Sequence, residues 1–242
     1  MNGERGFFIG WSGRLPADQR VFILSVVAAA LAGFAGLALA LSATIDDPGS
    51  GTVDWEQERT TEGVLTVHPY PLLHLASGHT LMLSGLGKSG VDADPALDGA
   101  GVTVSGFMLK RGSLDMLQSS RAEVTAAGSA PRSVPAPVAL GRWRLTGEIC
   151  DGKCYAGSMR PGAGLAHKAC ASFCILGGVP PVFVSTAPVD GSVFMLIAGD
   201  GGAPMPDALR SLIGVRVALD GEAERVGDLV VFHADAKTAR LP

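Results

Sequence analysis

Gly147–Phe183 reads GEICDGKCYAGSMRPGAGLAHKACASFCILGGVPPVF, and the order of residue types along it decides how the rest of the chain is read. It opens as a strand, Gly-Glu-Ile, and then breaks into a Gly-rich segment. That segment holds all four cysteines, Cys150, Cys154, Cys170 and Cys174, and one of the five histidines, His167. The spacing is C-x3-C-x12-H-x2-C-x3-C-x2-G-G-x-P-P. Thiols and an imidazole gathered this closely must meet in space, either as disulfides or around a metal. Asp151–Gly178 has no counterpart earlier in the chain, so it reads as an insertion after the first strand of a β unit.

Outward from this stretch, the same order of short β-type runs occurs twice. Gly63-Val-Leu-Thr-Val, Gly78-His-Thr-Leu-Met-Leu, Gly101-Val-Thr-Val and Leu114-Asp-Met-Leu are separated by Gly, Pro and Asp turn signals. Gly147-Glu-Ile, Gly191-Ser-Val-Phe-Met-Leu, Val215-Arg-Val-Ala-Leu and Leu229-Val-Val-Phe repeat the order. The overlay sets Met82 and Leu83 on Met195 and Leu196. It sets Leu97, Gly99, Val102, Gly106, Gly112 and Leu114 on Leu212, Gly214, Val217, Gly221, Gly227 and Leu229. Short strands, one small helical piece and a final hairpin per copy predict a mainly β chain with two tandem OB-like barrels, 62–125 and 142–242. The second carries the Cys/His insertion, 150–178. Residues 46–61 and the Pro-rich 126–141 read as linkers.

Val21–Ile45 contains no charge, and about 20 residues suffice to span a bilayer as a helix. Arg14 and Arg20 precede it, while Asp46, Asp47, Asp54, Glu56 and Glu58 follow. The positive-inside rule therefore predicts a single-pass anchor in a bacterial inner membrane, with residues 1–20 a cytoplasmic leader and the bulk of the chain in the periplasm. A cleaved signal peptide is the competing reading, but its apolar region is usually about 7–15 residues. The net charge of −4 gives no electrostatic support for a nucleic-acid partner.

Outside the cytoplasm disulfides persist. Cys170 and Cys174, one turn apart on a helix predicted over Ala166–Leu176, would face Cys150 and Cys154, with His167 on the same side. A bridge within the helical pair is awkward, so Cys154 with Cys170 or Cys174 is the favoured staple, worth about 2–4 kcal/mol. The same residues also offer a metal set. Cys154, His167, Cys170 and Cys174 give three sulfurs and a nitrogen, suited to Zn²⁺ or Cu⁺, with the Met159 thioether nearby. A redox thiol pair is a third reading, although it would usually show C-x-x-C at a helix start.

The stretch GEICDGKCY…HKACASFCILGGVPP resembles a family of bacterial exported OB-like domains, mostly uncharacterised. The resemblance covers about Trp143 to Asp235. Its motif falls on Asp151, Cys154, Tyr155, His167, Cys170, Cys174, Gly178 and Pro180, and Cys150 departs from it. Three cysteines in that motif imply a ligand or reactive role, whereas the additional Cys150 could complete two disulfides.

His68, His74 and His79 could converge as ligands, but three histidines scattered over β hairpins more often face solvent or a carbonyl. Gly85-Leu-Gly-Lys-Ser-Gly lacks the glycine spacing of a phosphate loop and reads as a turn. No Ser/His/Asp order or paired-carboxylate site stands out. The expectation is a non-catalytic accessory or assembly subunit of a membrane or exported redox system, with a protein partner and a disulfide-stapled insertion. The alternatives are a periplasmic Cu- or Zn-binding protein and a thiol–disulfide redox protein.

Overall fold

The computed structural model describes residues 17, 19–44, 49–127 and 133–242. Most of the expected leader, the start of the first linker and the middle of the Pro-rich one lie outside the described residues. Helix α1 (Arg20–Thr44) carries no charge after Arg20 and is predominantly apolar, with no polar face. Its Arg20–Ala40 stretch has a mean hydropathy of 2.4 and none of it is buried against protein, so it is long and apolar enough to cross a membrane.

The rest of the chain is mainly β and forms one compact unit, Pro48–Pro242. The first half contributes β1 (Thr52–Thr66), β2 (Leu72–His74), β3 (Thr80–Ser84), β4 (Gly101–Arg111), β5 (Leu114–Gln118) and β6 (Val124–Ala126). These make a six-stranded sheet in the order β1-β2-β3-β5-β4-β6, with β1 also pairing β4. The second half contributes β7 (Val138–Asp151), α2 (Lys168–Leu176), β8 (Pro181–Val189), β9 (Ser192–Ala198), β10 (Arg216–Val226) and β11 (Leu229–Arg240). Its strands close a barrel in the order β10-β11-β9-β8-β7.

β1 starts at Thr52, well inside the stretch expected to be a linker. Its N-terminal part is exposed on both faces, so it lacks the apolar alternation by which a strand is recognised, yet it pairs with β4 from Thr52 onward. β7 likewise begins at Val138, before the expected domain start.

The duplication is visible in the ladders. Val102 faces Gly63 and Val217 faces Gly147. Met108 faces Leu117 and Ala223 faces Phe232. Both agree with the overlay read from sequence. The overlay slips by one residue at β3. Met82 faces Leu72 and Met116, whereas the residue that faces Val182 and Val231 is Leu196, not Met195. A slip of one exchanges the two faces of a strand. Accordingly Leu83 sits in the core of the first sheet and Leu196 does not sit in the core of the barrel.

Two glycines mark the shared geometry. A Cβ on Gly106 would lie 2.2 Å from the carbonyl oxygen of Gln118, and one on Gly221 would lie 2.4 Å from that of His233. Gly106→Ala and Gly221→Ala should each destabilise the folded unit by about 2–3 kcal/mol, because the neighbouring strand must be pushed aside. Denaturant unfolding of the detergent-solubilised chain checks this, and wild-type midpoints would show that the strands spread freely.

Three large buried clusters follow from the pairing of these strands, besides a small one inside the insertion. One fills the barrel around Ile149, Phe183, Met195 and Phe232. One fills the first sheet around Leu65, Leu73, Leu83 and Leu117. The third is shared by both halves and packs Tyr70, Met82, Leu109 and Met116 against Cys150, Tyr155, Phe194 and Leu196. The insertion leaves the barrel between β7 and β8, at this shared face.

Candidate metal centre

β7 carries the chain to the site, and its two-residue period sorts the side chains. Ile149 points into the barrel core, while Cys150 points the other way into the shared cluster. There the Cys150 thiol donates to Glu148 Oε1 at 3.3 Å, and burial with the Glu148 charge pushes its pKa up. Asp151, fully buried at the strand end, turns the chain: its Oδ1 accepts the backbone N–H of Cys154 at 2.8 Å. A tight turn over Cys154–Ser158 follows, closed by Gly157 at φ 155°.

The chain returns as α2, which starts at Lys168 rather than Ala166. His167 occupies the N-cap, outside the helix, and its Nε2 lies 3.1 Å from Asp151 Oδ2. Cys170 and Cys174 are one turn apart on α2, as the sequence implies, and face Cys154.

The sulfurs of Cys154, Cys170 and Cys174 lie within 4.8 Å of one another, and a second group of Asp151, Cys154 and His167 meets the same limit. Cys154 belongs to both. The expected disulfides are not formed: all four cysteines are free. The cysteine pairs stand 4.0–4.3 Å apart, about twice an S–S bond length. Cys150 is excluded from the cluster by strand parity. The reading of a disulfide-stapled insertion is therefore corrected. The insertion is held instead by Asp151, by the hydrophobic packing of Cys154, Cys174 and Val179, and by a loop of the first half.

That loop is Gly85-Leu-Gly-Lys-Ser-Gly, whose role the sequence reading missed. Lys88 Nζ donates to Cys170 Sγ at 2.7 Å. Lys153, which immediately precedes Cys154, is buried and donates from Nζ to the carbonyls of Gly85 (2.6 Å) and Gly87 (2.8 Å). Gly90 N–H donates to Gly177 O at 2.8 Å. A Cβ on Gly177 would lie 2.0 Å from Lys88 O, so a glycine is required where the loop crosses the helix end. A lysine placed among glycines, opposite a second lysine beside a cysteine, was the available signal.

Burial drives the electrostatics. The Cys154 thiol is pushed far up by desolvation, then by Asp151 and the neighbouring sulfurs. Cys174 is pushed up to about 11 by burial, Asp151 and Cys170, with Lys88 opposing. The Lys88 ammonium is stabilised by its bond to Cys170, while burial lowers the pKa of Lys153 despite the nearby sulfurs and Asp151. Two lysines therefore flank the three sulfurs, and the Cys154 and Cys174 thiols are held in their protonated form without a metal. An ion at the centre of a sulfur triangle with 4.0–4.3 Å edges would lie about 2.3–2.5 Å from each sulfur, against about 2.3 Å for Zn–S. The cluster is geometrically able to hold a metal ion.

The histidines of the first half do not join such a set among the described residues. His74 is buried between the hydroxyls of Thr66 and Thr80, and His79 pairs with Asp115 and Asp228. Comparison of the chain with protein-family models, with curated proteins and with solved structures returns no match.

Proposed function

We propose that this chain is a membrane-anchored metal-binding protein that holds a thiophilic ion, Cu⁺ in preference to Zn²⁺, between Cys154, Cys170 and Cys174. The observation that carries this reading is the near-equilateral sulfur triangle, whose size matches metal–thiolate bonds. Charge favours the monovalent ion. Three thiolates and Cu⁺ leave two negative charges, which the Lys88 and Lys153 ammoniums offset, the buried Asp151 carboxylate being taken up by its own ion pair with His167. His167 and Asp151 form their own pair beside the site and would orient Cys154 rather than complete the first ring of ligands. Zn²⁺ is the second reading, favoured by the Asp151–Cys154–His167 group, which would supply the fourth ligand zinc requires.

The same proposal places the site on the outer side of a bacterial inner membrane, with α1 as an N-in anchor. Three thiols about 4 Å apart would oxidise in such a compartment unless a metal engaged them. It also takes the first half as an OB-like barrel, supported by a pairing order β1-β2-β3-β5-β4 that matches β7-β8-β9-β11-β10. Membership of the exported-domain family whose Cys/His motif the insertion resembles belongs to the proposal too.

Anaerobic titration of the full chain in detergent with Cu⁺ and with Zn²⁺, each against a chromogenic chelator, tests the reading. One tightly held Cu⁺ per chain is expected, and stoichiometric binding of neither ion would end it. Affinity should also depend on pH. Cys154 and Cys174 are protonated at neutral pH without metal, so binding must expel at least two protons. Affinity should rise at least about 100-fold per pH unit between pH 6 and 8. A pH-independent affinity would mean that the ion avoids these two sulfurs.

A further inference from the structure

The insertion also borders a half-open cavity of about 260 Å³, whose lining holds none of the cysteines and includes Arg111, Tyr155, Met159, Arg160, Gly51 and Ala163 among others. Its two arginines come from different halves: Arg111 ends β4, and Arg160 lies in the insertion. No carboxylate lines it among the described residues. The Arg111 guanidinium stacks on the Tyr155 ring at 4.1 Å from the centroid. Its Nε is buried and has no hydrogen-bond partner. A buried guanidinium N–H without an acceptor is costly, so Arg111 is held at the cavity wall with its charge unmatched by any lining carboxylate.

Arg160 Nη2 donates to Gly51 O at 3.1 Å, which fixes this side chain at the rim and leaves the rest of its fork available to a ligand. Glu148, which flanks Cys150 together with Arg111, accepts the Gly164 N–H and the Cys150 thiol at its Oε1 and does not line the cavity. The walls are built backbone to backbone. A Cβ on Gly51 would lie 2.4 Å from Ala156 O, and one on Gly157 would lie 2.6 Å from Thr52 O.

We propose that this cavity binds a phosphate group, gripped by the two guanidinium forks, whose planar donor geometry matches phosphate oxygens. Inorganic phosphate and the phosphodiester headgroup of an anionic phospholipid offer the same chemistry. Ser50 and Gly51, in the cavity wall, follow the last residue of α1 closely in sequence. The test uses the full chain in non-ionic detergent, titrated calorimetrically with inorganic phosphate and with glycerophosphoglycerol, a soluble phosphodiester headgroup. Saturable binding is expected, at least 10-fold weaker in Arg160→Gln. Arg111→Lys keeps the charge but loses the fork and should also weaken it. Both variants should retain wild-type Cu⁺ stoichiometry or, if no metal binds, wild-type circular dichroism, as evidence of folding. Tighter binding of the diester assigns the site to a lipid headgroup, and tighter binding of inorganic phosphate assigns it to the free anion; either upholds the proposal. No saturable binding of either up to about 10 mM, or an unchanged affinity in a folded Arg160→Gln, overturns it.

Discussion

Cys154→Ser should lower Cu⁺ affinity by at least about 10³-fold, roughly 4 kcal/mol, while Cys150→Ser should leave it unchanged. Cys154 belongs to both groups of ligands that the fold brings together, so its loss removes a sulfur from the triangle and detaches the Asp151–His167 pair from the ion. A serine hydroxyl at the same place is a hard, neutral donor that thiophilic ions disfavour. Cys150 lies on the other face of β7, packed among Tyr155, Val182 and Leu196, so a change there alters packing in the shared core and not the ion. The pair of variants separates ligation from a general effect of removing thiols. Competition titration against a Cu⁺ chelator measures both. Equal losses in the two variants would sink the three-sulfur site.

The contrast between these two cysteines also measures what was legible in the sequence. The Cys170–Cys174 pair needed only helical spacing, and the insertion needed only the repeat around it. The repeat itself was readable where glycines are forced by a neighbouring strand, as at Gly106 and Gly221. It slipped at β3, where consecutive apolar residues buried on both faces give no alternation to fix the register. Cys150 was readable in principle: a cysteine directly after Ile149 on a strand must face away from it. What no local pattern contained was the far wall of the site. Lys88 is 82 positions from Cys170, and Lys153 reaches carbonyls 68 and 66 positions away. Contacts of that separation are set by how the two halves dock. That the cysteines are unbridged was likewise hidden, because the same spacing serves a disulfide or a metal and only the sulfur separations exclude the bridge.

Lys153→Met is the second decisive substitution. Methionine keeps the length and apolar body of the side chain but removes the ammonium. Two carbonyls, Gly85 O and Gly87 O, then lose a buried donor, and the loop that carries Lys88 loses its tie to the insertion. The cost of unsatisfied carbonyls is partly offset, since burying the ammonium was itself unfavourable, as its lowered pKa reflects. The net expectation is a loss of about 1–3 kcal/mol in unfolding free energy. The effect on metal binding should be larger and should depend on the charge of the ion. Three thiolates with Cu⁺ need both lysines, so Cu⁺ affinity should fall about 10- to 100-fold, whereas Zn²⁺, with one more charge of its own, should lose less. Lys153→Arg keeps the cation and separates charge from hydrogen-bond geometry. If Lys153→Met weakened both ions equally, the lysines would be mere struts for the loop, and the preference for a monovalent ion would lose its physical basis.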